Sequence, residues 1–150
     1  LQSLVDGFAR RTGLRASFDI EGEPVPMSAS VESTIYRLAQ EALSNVYRHA
    51  QATQVGLRLS FGKRRAHVVV SDDGIGIPRG IRSGQEGEGV GLPGMRSRLS
   101  DVGGRLSIRS LSPGTAIIGT VPVVPQVQPA RESPPSSQRP FLAAPAGQTH

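Results

Sequence analysis

A chain of 150 residues with 17 Lys+Arg against 12 Asp+Glu, formally +5, is long enough for one hydrophobic core but not for two. It has no cysteine, which excludes disulfides and thiolate zinc sites, and a reducing cytoplasm fits that composition. Its basic residues are scattered and its four Phe and two Tyr do not interleave with them, so direct nucleic-acid binding is not expected; nor is membrane contact, because no apolar run approaches the roughly 20 residues of a spanning helix.

Taken in chain order, Leu1, Leu4, Val5 and Phe8 predict a short helix ended by Gly13. Leu14, Ala16, Phe18 and Ile20 then alternate with Arg15, Ser17, Asp19 and Glu21, the period of a strand with one buried face. Val31, Ile35, Leu38, Ala39, Ala42, Leu43 and Val46 have helical spacing, with Ser28 or Ser30 available as the N-cap. Val55, Leu57, Leu59 and Phe61 alternate again, and His67–Ser71 is a β-branched run that predicts a strand nearer the sheet centre. After a glycine-rich loop, a helix from Leu92 to Val102 is ended by Gly103-Gly104. Leu106 and Ile108 mark an alternating strand, and Thr115–Val121 a second central one. Several strands keep one polar face, so helices can cover only one side. The predicted fold is an α/β (α+β) two-layer sandwich, a mixed and mostly antiparallel sheet with helices on one face. From Pro122 onward the chain holds seven of its 12 prolines and no apolar period, so residues 1–123 are expected to form the domain and 124–150 a disordered Pro-rich tail.

Four segments carry chemistry. On the long helix, Glu41 and Asn45 lie one turn apart at the seam between the apolar arc and solvent, with His49 following them. A carboxylate and an amide there can be half desolvated yet face a ligand, as a base and a metal-binding oxygen require. Asp72-Asp73-Gly74-Ile75-Gly76 follows an apolar strand, placing a carboxylate at a strand end beside two glycines that admit a planar group with an exocyclic amine. Taken alone, Asp-Gly is also ordinary turn chemistry. Gly84–Met95 is a glycine-rich loop entering a helix, with the free N–H groups of a phosphate cradle, but it is neither a Walker A loop nor a dinucleotide fingerprint. Ser112-Pro113-Gly114-Thr115 is a turn opening the last strand.

In this order and spacing the four resemble the nucleotide-binding (Bergerat) fold shared by histidine kinases, DNA gyrase, Hsp90 and MutL. Glu41…Asn45 stands for Glu-x-x-x-Asn, Asp72…Gly74…Gly76 for Asp-x-Gly-x-Gly, and Gly89-Val90-Gly91-Leu92 for Gly-x-Gly-Leu. Arg48-His49-Ala50, the run Gly91-Leu92-Pro93-Gly94-Met95-Arg96-Ser97-Arg98-Leu99 and the short stretch between Gly76 and Gly89 look like the sensor histidine kinases paired with helix-turn-helix response regulators.

The resemblance implies ATP and Mg²⁺ as ligands. It implies Asn45 as the Mg²⁺ ligand, Glu41 as a catalytic carboxylate near the metal, Arg48 facing phosphate and His49 packing beside the nucleotide. Asp72 would accept from the adenine amine, Gly74 and Gly76 would leave room for the base, and Thr115 would support its pocket. Gly89, Val90, Gly91 and Leu92 would cap the phosphates. Ser97 departs from the family, many of whose members carry Glu there. The phosphoacceptor is expected outside the chain, because His49 belongs to the nucleotide motif, His67 to a strand and His150 to the tail. The implied partners are therefore a histidine-bearing dimerisation domain of the same kinase and, through the full kinase, a response regulator. An anti-sigma-factor-type serine kinase and a non-catalytic ATP-sensing or docking module of the same fold are the alternatives.

Overall fold

The computed structural model describes residues 1–76 and 91–123. In chain order these form α1 (Gln2–Thr12), β1 (Arg15–Glu21), α2 (Ala29–Asn45) continued by a π-helical turn (Val46–Ala50), β2 (Gln54–Phe61), β3 (Arg65–Asp72), α3 (Leu92–Asp101), β4 (Arg105–Ser110) and β5 (Thr115–Pro122). The five strands form one sheet in the order β1-β2-β3-β5-β4. β1 runs parallel to β2 and every other neighbouring pair is antiparallel, as a mixed and mostly antiparallel sheet requires. The two β-branched runs expected near the centre are indeed β3 and β5.

Register explains the two layers. Phe18, Leu57, Val70, Ile117 and Ile108 face one another across all five strands and point to the same side. That side is roofed by the helices: α1 over β1, α2 over β3 and β5, and α3 over β4. The predicted apolar arc of α2 is buried throughout, and Leu38 and Leu43 are among the most enclosed side chains. Each such leucine contributes about 1.5–3 kcal/mol by leaving water. On the opposite face Ser17, Asp19, Arg58, Ser107 and Arg109 are exposed. Ile20, expected inward, is 52% exposed because β1 is an edge strand whose end passes beyond the helical cover.

The helix ends follow their residues. Ser28 accepts from the Val31 N–H at 3.3 Å and caps α2, so of the two serines it is the cap. Gly13 closes α1 in the left-handed conformation, and the Gly103 and Gly104 N–H groups cap Ser100 and Leu99 carbonyls after α3. The expected continuation of α2 as one regular helix is corrected: its last turn widens to the π form and ends at Gln51 in the left-handed region. No helix among the described residues is long and apolar enough to cross a membrane. The tail 124–150 lies outside the described residues.

Candidate functional site

Alternation along β3 builds the site. Ala66, Val68 and Val70 point inward to the core, and the next inward position is Asp72. A carboxylate thus occupies what would be the fourth apolar position of a central strand, 9% exposed. Its Oδ1 accepts from the Gly74 N–H at 2.8 Å, and the Thr115 N–H of the neighbouring strand also holds it. Burial nevertheless dominates and raises the Asp72 pKa above the ordinary 3.8, against the lowering effect of those two backbone bonds, with the adjacent Asp73 charge adding a little. A buried carboxylate with a raised pKa that faces a cavity makes Asp72 a candidate ligand-binding residue.

The cavity is a narrow slot of about 40 Å³ lined by Ala42, Asn45, Val46, His49, Ala50, Asp72, Gly76, Thr115 and Ile117. One wall belongs to the end of α2 and its π-turn, the other to the ends of β3 and β5. One glycine lets the two walls meet, and another lets β3 and β5 close up within theirs. A Cβ on Gly74 would overlap the Ala50 carbonyl oxygen, and one on Gly114, whose φ is +99°, would overlap the Asp72 carbonyl oxygen. The Ile75 N–H donates to the Ala50 carbonyl at 2.8 Å, satisfying a helix-end acceptor with the Asp72–Gly76 turn.

Asn45, His49, Asp72, Gly76 and Thr115 are therefore brought together as the sequence implied, with Gly74 directly beside them. Two members of the helix motif lie apart from the slot. Glu41 is half-buried against Gly91, where a Cβ would strike its carboxylate, so it sits at the start of α3. Arg48 is exposed and lines a separate groove with Leu4, Phe8, Arg11 and Tyr47. The π-turn bears on Arg48 alone: at fewer degrees per residue than an α-helix, it keeps His49 beside Asn45 on the slot and leaves Arg48 on the side of α1. Gly91 is the N-cap of α3, and Leu92 is buried in the core rather than presented to a ligand. Gly89 and Val90 lie outside the described residues.

Asp73 was read from sequence only as a turn residue. Its carboxylate accepts from the Thr53 N–H at 2.8 Å, the Thr53 hydroxyl at 2.6 Å and the Gln54 N–H at 2.9 Å. The Thr53 hydroxyl and these backbone donors hold its pKa far below the usual carboxylate range. A second carboxylate directly after Asp72 was the available signal, but its partners lie about 20 residues earlier in the chain.

Residues 30–125 match the family described as histidine kinase-, DNA gyrase B-, and HSP90-like ATPase. The sensor histidine kinase MctS of Rhizobium johnstonii is 37% identical over 123 residues, 81% of this chain and 26% of that protein. The signal transduction histidine-protein kinase/phosphatase UhpB of Salmonella typhimurium is 36% identical over 110 residues, 73% of this chain and 21% of that protein. The chain thus spans about a quarter of the length of these relatives. Among solved structures, the catalytic domain of histidine kinase ThkA superposes with a TM-score of 0.67 at 16% identity, covering 81% of this chain and 90% of that one. The histidine kinase domain of the Erythrobacter litoralis blue-light activated kinase EL346 does so with a TM-score of 0.67 at 24% identity, covering 81% and 58%. At these identities the superpositions establish the fold.

Proposed function

Because this chain belongs to the histidine kinase-, DNA gyrase B- and HSP90-like ATPases, we propose that it is the ATP-binding catalytic domain of a two-component sensor histidine kinase, passing the γ-phosphoryl group to a histidine on a dimerisation domain outside the chain. One observation carries the nucleotide part of this reading: the buried Asp72 carboxylate opens into a slot whose other wall presents Asn45 and His49.

The residues present fit ATP and Mg²⁺. The Asp72 carboxylate, acceptor only when ionised, matches the exocyclic amine of adenine and opposes the carbonyl of guanine. Val46, Ala50 and Ile117 supply apolar walls for a flat ring. Gly74 and Gly76 keep the turn free of side chains where the base enters, and Thr115 fixes the carboxylate from β5. His49, on the slot lining, would pack beside the nucleotide. Asn45 offers one amide oxygen and would hold Mg²⁺ as one of few protein ligands, the kind of site in which that ion is commonly held together with phosphates. Glu41 lies against Gly91 at the start of α3, where Gly91 and Leu92 would offer backbone N–H groups to the phosphates; Gly89 and Val90, outside the described residues, are proposed for the same role. Arg48, in a groove separate from the slot, would supply positive charge to phosphate only where the nucleotide extends past the end of α2. With Mg²⁺ bound, the ion supplies charge neutralisation, while the chain's own side chains select the base and aim the γ-phosphoryl group outward.

The test mixes this chain with a histidine-bearing helical hairpin from a kinase of the same subgroup and γ-labelled ATP. Label appearing on the hairpin that is lost in acid and stable in base identifies phosphohistidine. Acid-stable label would refute the histidine assignment in favour of a serine kinase. A response regulator acting through the full kinase and a cytoplasmic placement of this domain belong to the same proposal.

A further inference from the structure

The slot has two walls from distant parts of the chain, and its width depends on how firmly they are tied. Two ties join them. One is the bond from the Ile75 N–H to the Ala50 carbonyl at 2.8 Å. The other is the Asp73 carboxylate, which gathers the Thr53 N–H, the Thr53 hydroxyl and the Gln54 N–H within 2.6–2.9 Å. Thr53 and Gln54 come three and four residues after the π-turn that carries His49, while Asp73 follows directly on Asp72.

Resting on the nucleotide reading above, we infer that Asp73 is a positioning residue for adenine recognition: its clamp on Thr53 and Gln54 sets the strand end from which Asp72 projects into the slot. Alternation makes this possible. Asp72 points inward and Asp73 outward, so the clamp grips the backbone from outside without entering the binding space. A turn alone asks for less than this, since one Asx-type acceptor suffices for Asp-Gly turn chemistry, whereas here three donors converge on two oxygens. The Asp73 N–H returns a longer bond to the Gln54 carbonyl at 3.4 Å, so side chain and main chain hold the same partner segment. Thr53 is tied in turn to β1: the Arg15 N–H donates to its carbonyl at 3.3 Å and the Arg15 guanidinium reaches its hydroxyl at 3.5 Å. The partner segment is thereby fixed to the sheet and gives the clamp a firm anchor.

The expected effect is on base selection. Without the clamp the Asp72 carboxylate loses its fixed distance from the opposite wall, and its bond to the adenine amine is made in only part of the population. The experiment is calorimetric titration of the full chain with Mg-ATP and with Mg-GTP, for the unaltered protein and for Asp73→Ala, Asp73→Asn, Thr53→Val and Thr53→Ser, with melting recorded for each. Asp73→Ala is expected to weaken ATP binding about tenfold and to reduce the ATP-over-GTP preference by a comparable factor, as expected when a charge-assisted bond is misaligned. The fitted stoichiometry should stay unchanged.

Asp73→Asn retains an amide oxygen for both backbone donors and should recover most of the affinity. Thr53→Val should fall between the two, with Thr53→Ser near the unaltered protein. A purely structural role would lower the melting temperature while leaving Kd and base preference where they were, and that outcome in Asp73→Ala overturns the inference. Should Asp73→Ala fail to fold, Thr53→Val decides, and unchanged selectivity there overturns it equally. If the unaltered chain itself does not bind ATP, the nucleotide reading falls first and takes this inference with it.

Discussion

Replacing Asp72 by Asn separates the carboxylate's role in binding from its role in the fold. The ionised side chain, 9% exposed, holds the Gly74 N–H at 2.8 Å and the Thr115 N–H and still has lone pairs for an amine in the slot. An amide has one oxygen, and its NH₂ must face either a backbone donor or the adenine amine, donor against donor. A hydrogen bond to a charged group is worth about 1.5–3 kcal/mol, so the ATP Kd should rise roughly 10- to 150-fold.

Stability should move much less. Burial raises the Asp72 pKa, so this group favours the fold below its unfolded value of 3.8 and loses that contribution as pH rises through its folded value. At neutral pH the ionised carboxylate is therefore a burden that Asn relieves, offsetting the backbone bond it gives up. Titration calorimetry with Mg-ATP, paired with thermal melting at pH 7, reads both quantities. An Asp72→Asn protein with unchanged melting and unchanged ATP affinity would refute the assignment of this carboxylate to the base.

Asn45→Ala should weaken ATP binding in the presence of Mg²⁺ and narrow the difference between titrations with and without the ion, the loss expected when one amide ligand is removed. Gly114→Ala drives a Cβ into the Asp72 carbonyl at a φ of +99°. It should cost about 3 kcal/mol or more, lowering Tm by about 10 °C in a melting experiment. ATP affinity of the unaltered chain should fall with acidification at a pH above the ordinary carboxylate value of 3.8, because protonation of Asp72 removes the charged acceptor; Asp72→Asn should lack that dependence. Asp73 has the opposite sign. Its lowered pKa contributes stability above 3.8 that is lost as pH falls through its folded value, so the melting difference between the unaltered chain and Asp73→Ala should be full at neutral pH and shrink in strong acid.

Local patterns carried most of the architecture. The 2.0 and 3.6 periods are set by the backbone alone, which is why Val55/Leu57/Leu59 and Val31/Ile35/Leu38/Ala42 can be assigned to a strand and a helix, each with its buried side, before any contact is known. Glycine positions and the Ser28 cap marked element ends for the same local reason. Motif spacing placed Asn45, His49, Asp72, Gly76 and Thr115 in one site, and all five line the slot.

What the sequence by itself determined was thus the set of elements and their buried sides, because each depends on neighbours within about two turns of helix or a few residues of strand. It also determined the family motif, because the order and spacing of its segments can be read along the chain. Only the tertiary structure decided the rest. The π-turn forms where the end of α2 meets the Asp72–Gly76 turn, and it sends Arg48 to a different groove from Asn45. Glu41 is placed by α3, roughly 50 residues further along the chain. Asp73, ordinary in its own pentapeptide, acquires its three donors from a strand start 19 and 20 residues away. These are long-range meetings of backbone donors and acceptors, and no periodicity in a single chain records which distant N–H group a carboxylate will find.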